Sequence, residues 1–248
     1  MSESAAQPSA GRVAAVWAKE ITIVVVGALI ASTLLRLFIA QMFVIPSGSM
    51  ENTLLIRDRV MVQKVTGWGR GDIVVFRDTQ GWLAEPEVET DPVRRALIFI
   101  GLSPDESQNH LIKRVIGLPG DHVKCCDAGG RITVNGQPLD EAGDLYSENG
   151  EVVAPSAFRF DVIVPKDRIW VMGDHRDNSQ DSRCHLDRGT NGGAAFIPTE
   201  NVVGAAVAIV YPFDRWRTLP RPDTFERVPG PTAAAPDRPV ITGELPAC

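Results

Sequence analysis

The chain has 248 residues and is 44% hydrophobic, enough for one anchored domain or two small ones. Its formal net charge is −6 with both signs spread along the chain, so it lacks the basic surface that a nucleic-acid partner requires. Aromatic residues are sparse at 6%, and 22 Gly with 18 Pro suit a β-rich body with many turns better than a helical bundle.

Residues 1–18 are rich in Ala and Ser and read as a disordered amino terminus. Residues 19–41 read as a transmembrane anchor. Ile21–Ala40 is apolar apart from Arg36, which lies near the end where its side chain can snorkel to the headgroups. At 1.5 Å per residue this stretch spans about 30 Å as a helix, the thickness of a bilayer core. The residues that follow, Gln41-Met42-Phe43-Val44-Ile45, offer no small-x-small cleavage site, which argues against a removable leader. Positive charges flank the span on both sides (Arg12 and Lys19; Arg57, Arg59 and Lys64), so charge bias does not decide its orientation.

Beyond the anchor, 42–220 reads as one extracytoplasmic domain of short strands. Arg59–Val65 and Asp72–Phe76 flank a turn at Trp68-Gly69-Arg70-Gly71. Residues 78–110 form an acidic insertion with one apolar patch at Ala96–Ile100. Asn109–Val115 is strand-like, and Arg131–Leu139 reads as a hairpin because Asn135-Gly136 is the pair a type I′ turn requires. Phe160–Val164, Arg168–Met172 and Val202–Tyr211 are further strands. The last residues, 221–248, are Pro- and Ala-rich and read as a disordered tail. Many short, irregularly spaced strands predict a mainly β, largely antiparallel fold behind one transmembrane helix. Of the four cysteines, Cys125 or Cys126 can bridge to Cys184 in an oxidising compartment, with free thiols, Cys248 among them, as the alternative.

Three segments carry chemistry. Ile45-Pro46-Ser47-Gly48-Ser49-Met50 follows the anchor directly, and its Pro and Gly can hold two hydroxyls in a tight exposed turn. In Leu111-Ile112-Lys113-Arg114-Val115-Ile116-Gly117-Leu118-Pro119-Gly120-Asp121 a lysine sits in an apolar strand, with Arg114 on the other face for a salt bridge or solvent. An ordinary lysine is neutral in only about 4 molecules per 10,000 at pH 7, but burial favours the neutral amine and makes it a usable base. The third segment, Gly173-Asp174-His175-Arg176-Asp177-Asn178-Ser179-Gln180-Asp181-Ser182-Arg183, can form a satisfied polar network that fixes another side chain.

In this order the three segments closely resemble the serine, lysine and Gly-Asp blocks of the bacterial signal peptidase I family, and Gly71–Phe76 resembles a further strand block of that family. The resemblance covers roughly residues 20–215. It implies an antiparallel β catalytic domain with a smaller cap drawn mainly from 122–170. By resemblance Ser49 is the nucleophile and Lys113 the general base. Ser47 and the Ser49 N–H form the oxyanion hole, and Ser179 orients the lysine amine. Asp181 and Arg183 support the site as an ion pair, Asp174 and Arg176 are scaffolding, and Ile45, Pro46 and Ile112 line pockets for small residues at −1 and −3. His175 departs from the family's pattern and is expected to have no catalytic role. Asn52, where many relatives carry proline, is expected only to loosen the turn.

The implied reaction is cleavage of signal peptides from exported preproteins after Ala-x-Ala sites through an acyl-enzyme. No motif calls for a metal or organic cofactor. The implied setting is the bacterial plasma membrane near the secretion translocase, with the amino terminus inside and the catalytic domain outside. The partners are preproteins and membrane lipid, with Met42, Phe43 and Met50 dipping into the interface. The competing readings are a self-cleaving repressor-type Ser/Lys protease, which needs a DNA-binding segment and no anchor, and an inactive tethered binding protein that kept the fold. The presence of both Ser49 and Lys113 counts against the second.

Overall fold

The computed structural model describes residues 10–84, 91–93, 109–186 and 191–242. Most of the insertion, including the Ala96–Ile100 patch, and Cys248 lie outside the described residues, as does the side chain of Arg36.

The first element among the described residues is helix α1, Ala10–Phe38, which takes in residues 10–18 of the stretch expected to be disordered. Its span Val16–Leu35 is long and apolar enough to cross a membrane, with Lys19 and Glu20 charged near its start, and none of that span is buried against the rest of the molecule. Strands follow in chain order: β1 Ala40–Val44, β2 Arg59–Gln63, β3 Ile73–Arg77, β4 His110–Gly117, β5 His122–Cys125, β6 Ile132–Val134, β7 Gln137–Pro138, β8 Ser147–Glu148, β9 Glu151–Val152, β10 Phe160–Ile163, β11 Arg168–Met172, β12 Ile197–Pro198, β13 Val202–Tyr211, β14 Arg217–Thr218 and β15 Val240–Ile241. All pairings among them are antiparallel.

The main sheet runs β1-β2-β13-β3-β4-β11-β12, with β14 beside β13. Strand β13 is its spine, pairing with both β2 and β3. Its run Gly204-Ala205-Ala206 explains how it fits there. A Cβ at Gly204 would collide with the Gln63 carbonyl oxygen, so only a residue without a side chain lets these strands approach. Apolar side chains on either side of the sheet form two cores: Ile45, Met50, Leu54, Val60, Val62 and Ile112 among others in one, and Val74, Phe76, Val115, Ile169 and Val171 in the other. No linker separates helix from sheet. Ala40 already pairs with Gln63, and the Lys64 N–H donates to the Ile39 carbonyl.

A second sheet, β15-β10-β5-β6-β7, forms the smaller lobe. Its β6–β7 hairpin turns through Asn135 and Gly136, both with positive φ (52° and 81°), as a type I′ turn demands. The described part of the carboxy-terminal segment, residues 221–242, is not a loose tail. Phe225 and Val228 are buried in the core of this lobe, Lys166 N–H donates to the Pro236 carbonyl, and β15 adds to β10. Its prolines hold it extended along the lobe while a few apolar residues supply the burial. Cys125 and Cys126 are disulfide-bonded to one another, so neither reaches Cys184, and free thiols are absent among the described residues.

Candidate active site

Three elements converge. The first is a single 3-10 turn, Gly48–Met50, entered from β1 through Ile45 and Pro46. Ile45 and Met50 are buried in the core and pin the turn at both ends, so Met50 is not available to the membrane interface, whereas Met42 is exposed. The second is β4, which carries Lys113 and Arg114 on opposite faces. The third is the loop after β11, Gly173–Arg183.

Lys113 is 2% exposed. Its Nζ lies 2.5 Å from Ser49 Oγ and 3.1 Å from the Ile112 carbonyl oxygen. Burial pushes the amine down to about 8 from its ordinary 10.5, against the opposing pull of the Asp181 and Asp174 carboxylates, with Arg183 adding to the depression. Sixty-four positions apart in sequence, the two side chains meet because the buried strand and the pinned turn leave the amine one acceptor beyond its own backbone. Ser47 Oγ is 3.4 Å from Ser49 Oγ and exposed, on the open side of the turn. Ile45 and Ile112 are buried in one core, and Pro46 is exposed.

The expected bond from Ser179 to the lysine amine is not formed. Ser179 Oγ is buried against Gly173, on the side of Asp181, whose carboxyl it helps hold down. Gly173 is the tightest point of the site, because a Cβ there would collide with both Ser179 Oγ and the Ser49 carbonyl oxygen. Gly173→Ala is therefore expected to cost about 1–3 kcal/mol in stability and to reduce turnover by about 100-fold, read by thermal melting and by peptide cleavage.

Asp181 accepts from Gly173 N–H at 3.0 Å and from Arg183 Nε and Nη2 at 2.8 Å each. Burial alone would raise its carboxyl, but Arg183 outweighs that and holds it below the usual carboxylate range. Arg183 Nη2 also donates to the Arg176 carbonyl, and Arg176 Nε donates to the Gly173 carbonyl, which closes the ring. Two further pairs brace it: Arg114 with Asp174, and Arg176 with Glu141 of the small lobe. Asp174 and Arg176 thus sit in scaffolding positions. Glu141 had no signal in the sequence, since it stands alone in a loop of the other lobe.

One residue differs from expectation. Asn52 does not loosen the turn. It adopts φ 81°, which proline cannot, and its Nδ2 lies within 3.0–3.3 Å of the carbonyl oxygens of Gly143, Asp144 and Leu145. His175 does not contact Ser49 Oγ. Its Nδ1 lies 2.8 Å from Glu51 Oε2, and its backbone N–H donates to the Ser49 carbonyl.

The family described as "Signal peptidase, peptidase S26" matches residues 17–211. Signal peptidase I of Mycobacterium tuberculosis is 36% identical over 228 residues, covering 80% of this chain and 74% of that protein. A probable signal peptidase I of Mycobacterium leprae is 33% identical, covering 87% and 85%. Signal peptidase I P of Bacillus subtilis subsp. natto is 30% identical, covering 81% and 91%. A match across the helix, the turn, β4 and the Gly173–Arg183 loop together places this chain in the signal peptidase family, peptidase S26.

Proposed function

We propose that this protein removes signal peptides from exported preproteins with Ser49 as nucleophile and Lys113 as general base. The observation that carries the reading is the buried amine 2.5 Å from the Ser49 hydroxyl. Neutral Lys113 takes the hydroxyl proton as Oγ attacks the scissile carbonyl. The Ser47 hydroxyl and the Ser49 N–H receive the oxyanion. As the tetrahedral intermediate collapses, the ammonium returns its proton to the leaving amine. Lys113, neutral again, then deprotonates the water that hydrolyses the ester. Among the described residues β1 pairs on one side, with β2, and its Phe43 ring packs 5.1 Å from the His110 ring at the start of β4. An extended peptide can add as a strand there and set small side chains against Ile45 and Ile112. This favours Ala-x-Ala sites.

Helix α1 serves as the anchor, with the amino terminus in the cytoplasm and the catalytic domain on the outer face of the plasma membrane, beside the translocase. The test is cleavage of an Ala-x-Ala preprotein in lipid vesicles. Ser49→Ala is expected to lose at least about 1,000-fold in kcat/KM while staying folded. Because the base works only when deprotonated, kcat/KM should rise with pH up to about 8 and level off above it. A flat profile between pH 6 and 9, or an active Ser49→Ala, would refute the assignment.

A further inference from the structure

We infer that His175 is a positioning residue for the nucleophile, acting through Glu51. The inference rests on the Ser49/Lys113 reading above and concerns what holds Ser49 in place.

The 3-10 turn that bears Ser49 is a single turn with one closing hydrogen bond of its own, from the Glu51 N–H to the Gly48 carbonyl at 3.0 Å, too little to fix it alone. The rest of its restraint comes from outside. From below, His175 grips it at three points. The His175 N–H donates to the Ser49 carbonyl at 3.2 Å, and Nδ1 lies 2.8 Å from Glu51 Oε2 and 3.3 Å from the Gly48 carbonyl oxygen. The ring is itself held. Tyr146 stacks on it with centroids 3.8 Å apart, and Asp177 Oδ1 lies 3.3 Å from Nε2. Glu51 folds back so closely that a Cβ on Gly48 would meet its carboxyl group at 2.8 Å. Gly48 is therefore required for the Glu51–His175 contact and not merely for a tight turn.

At the far end of the turn Asn52 fastens the chain to residues 143–145, next to the same Tyr146. The serine is thus clamped between two side-chain contacts, and both tie it to the 143–146 loop of the small lobe. None of these contacts uses Ser49 Oγ or Lys113 Nζ, whose partners are each other, the Ser47 hydroxyl and the Ile112 carbonyl. Loss of the clamp should let the hydroxyl drift from its attack position without removing either reacting group. A misplacement of about 1 Å is enough to cost about 100-fold.

The experiment is steady-state cleavage of an Ala-x-Ala peptide by the full-length protein in lipid vesicles, comparing wild type, His175→Ala, His175→Asn, Glu51→Ala, the His175→Ala/Glu51→Ala double variant and Lys113→Met. His175→Ala is expected to lower kcat about 10- to 100-fold, with KM within about twofold and the rise of activity up to pH 8 retained. Glu51→Ala should do the same, and the double variant should be no worse than either alone. His175→Asn, whose side-chain amide can donate to Glu51 from the same position, should recover most of the loss. An unchanged kcat in His175→Ala overturns the inference. So does a loss that follows the folded fraction in a melting curve and is not rescued by Asn. An active Lys113→Met together with loss of the pH dependence in His175→Ala would make the histidine the base, which overturns both readings. If wild type itself cleaves nothing, the proposed function fails first.

Discussion

Lys113→Met is expected to lose at least about 1,000-fold in kcat/KM and, at the same time, to make the folded protein more stable. The two effects have one cause. Holding the amine near 8 rather than 10.5 means that folding disfavours its protonated form, and that difference corresponds to about 3 kcal/mol. Because the folded-state value is the lower one, the unfolded chain binds more protons between these limits, and stability rises with pH through that window. The penalty is present in full below pH 8 and is gone near 10.5. Methionine matches the lysine stem in length and carries no charge, so the gain should be largest at pH 7 and fade as pH approaches 10. Urea denaturation at pH 7 and pH 10, alongside cleavage assays, measures both. A variant that is inactive and less stable at pH 7 would show that the amine's burial does not carry this cost.

Asp174→Ala should be among the most destabilising single changes in the domain. Its carboxylate takes Arg114 Nε at 2.8 Å and Nη2 at 2.6 Å, both away from solvent, and the half-buried Thr53 donates its Oγ1 hydroxyl at 2.5 Å. Burial alone would lower the Arg114 guanidinium, but Asp174 holds it above its ordinary value. Without Asp174 a buried cation keeps the Gly71 carbonyl and a distant Asp144, and the expected loss is about 3–5 kcal/mol. Arg114→Met combined with Asp174→Leu should recover most of it, since the cost comes from the orphaned charge rather than from a missing attraction. Asp174→Asn tests the coupling to catalysis. Asp174 is one of the carboxylates that favour the Lys113 ammonium, so removing its charge should move the rise in kcat/KM to below pH 8. Urea midpoints and a pH profile check the two halves separately.

The strands were legible where apolar residues run without interruption. Arg168–Met172 and Val202–Tyr211 occupy the residues expected of them, and the positive φ values at Asn135 and Gly136 were written in the residue types. The meeting of Ser49 and Lys113 was legible by family resemblance and not by spacing. What stayed hidden depends on contacts between distant parts of the chain. The final residues look like a linker by composition, yet Phe225, Val228 and Ile241 are enough to dock them. Glu141 acquires meaning only when the small lobe places it against Arg176. Asn52 reads as a weak turn former until its φ and the three carbonyls around it are seen, and local propensity carries no information about either.

If α1 spans the bilayer as proposed, the junction after it sets the depth at which this protease can cut. Helix ends at Phe38, Ala40 is already in the sheet, and the Ile39 carbonyl is taken by Lys64. With α1 across the bilayer, the catalytic domain has no tether on which to swing, and Ser49 is held at a fixed height by β1. The enzyme then works as a ruler. Peptide bonds presented at that height are reached, and identical sequences held farther from the membrane are not. A flexible insert between Phe38 and Ala40 would turn the ruler into a leash, trading selectivity by depth for reach.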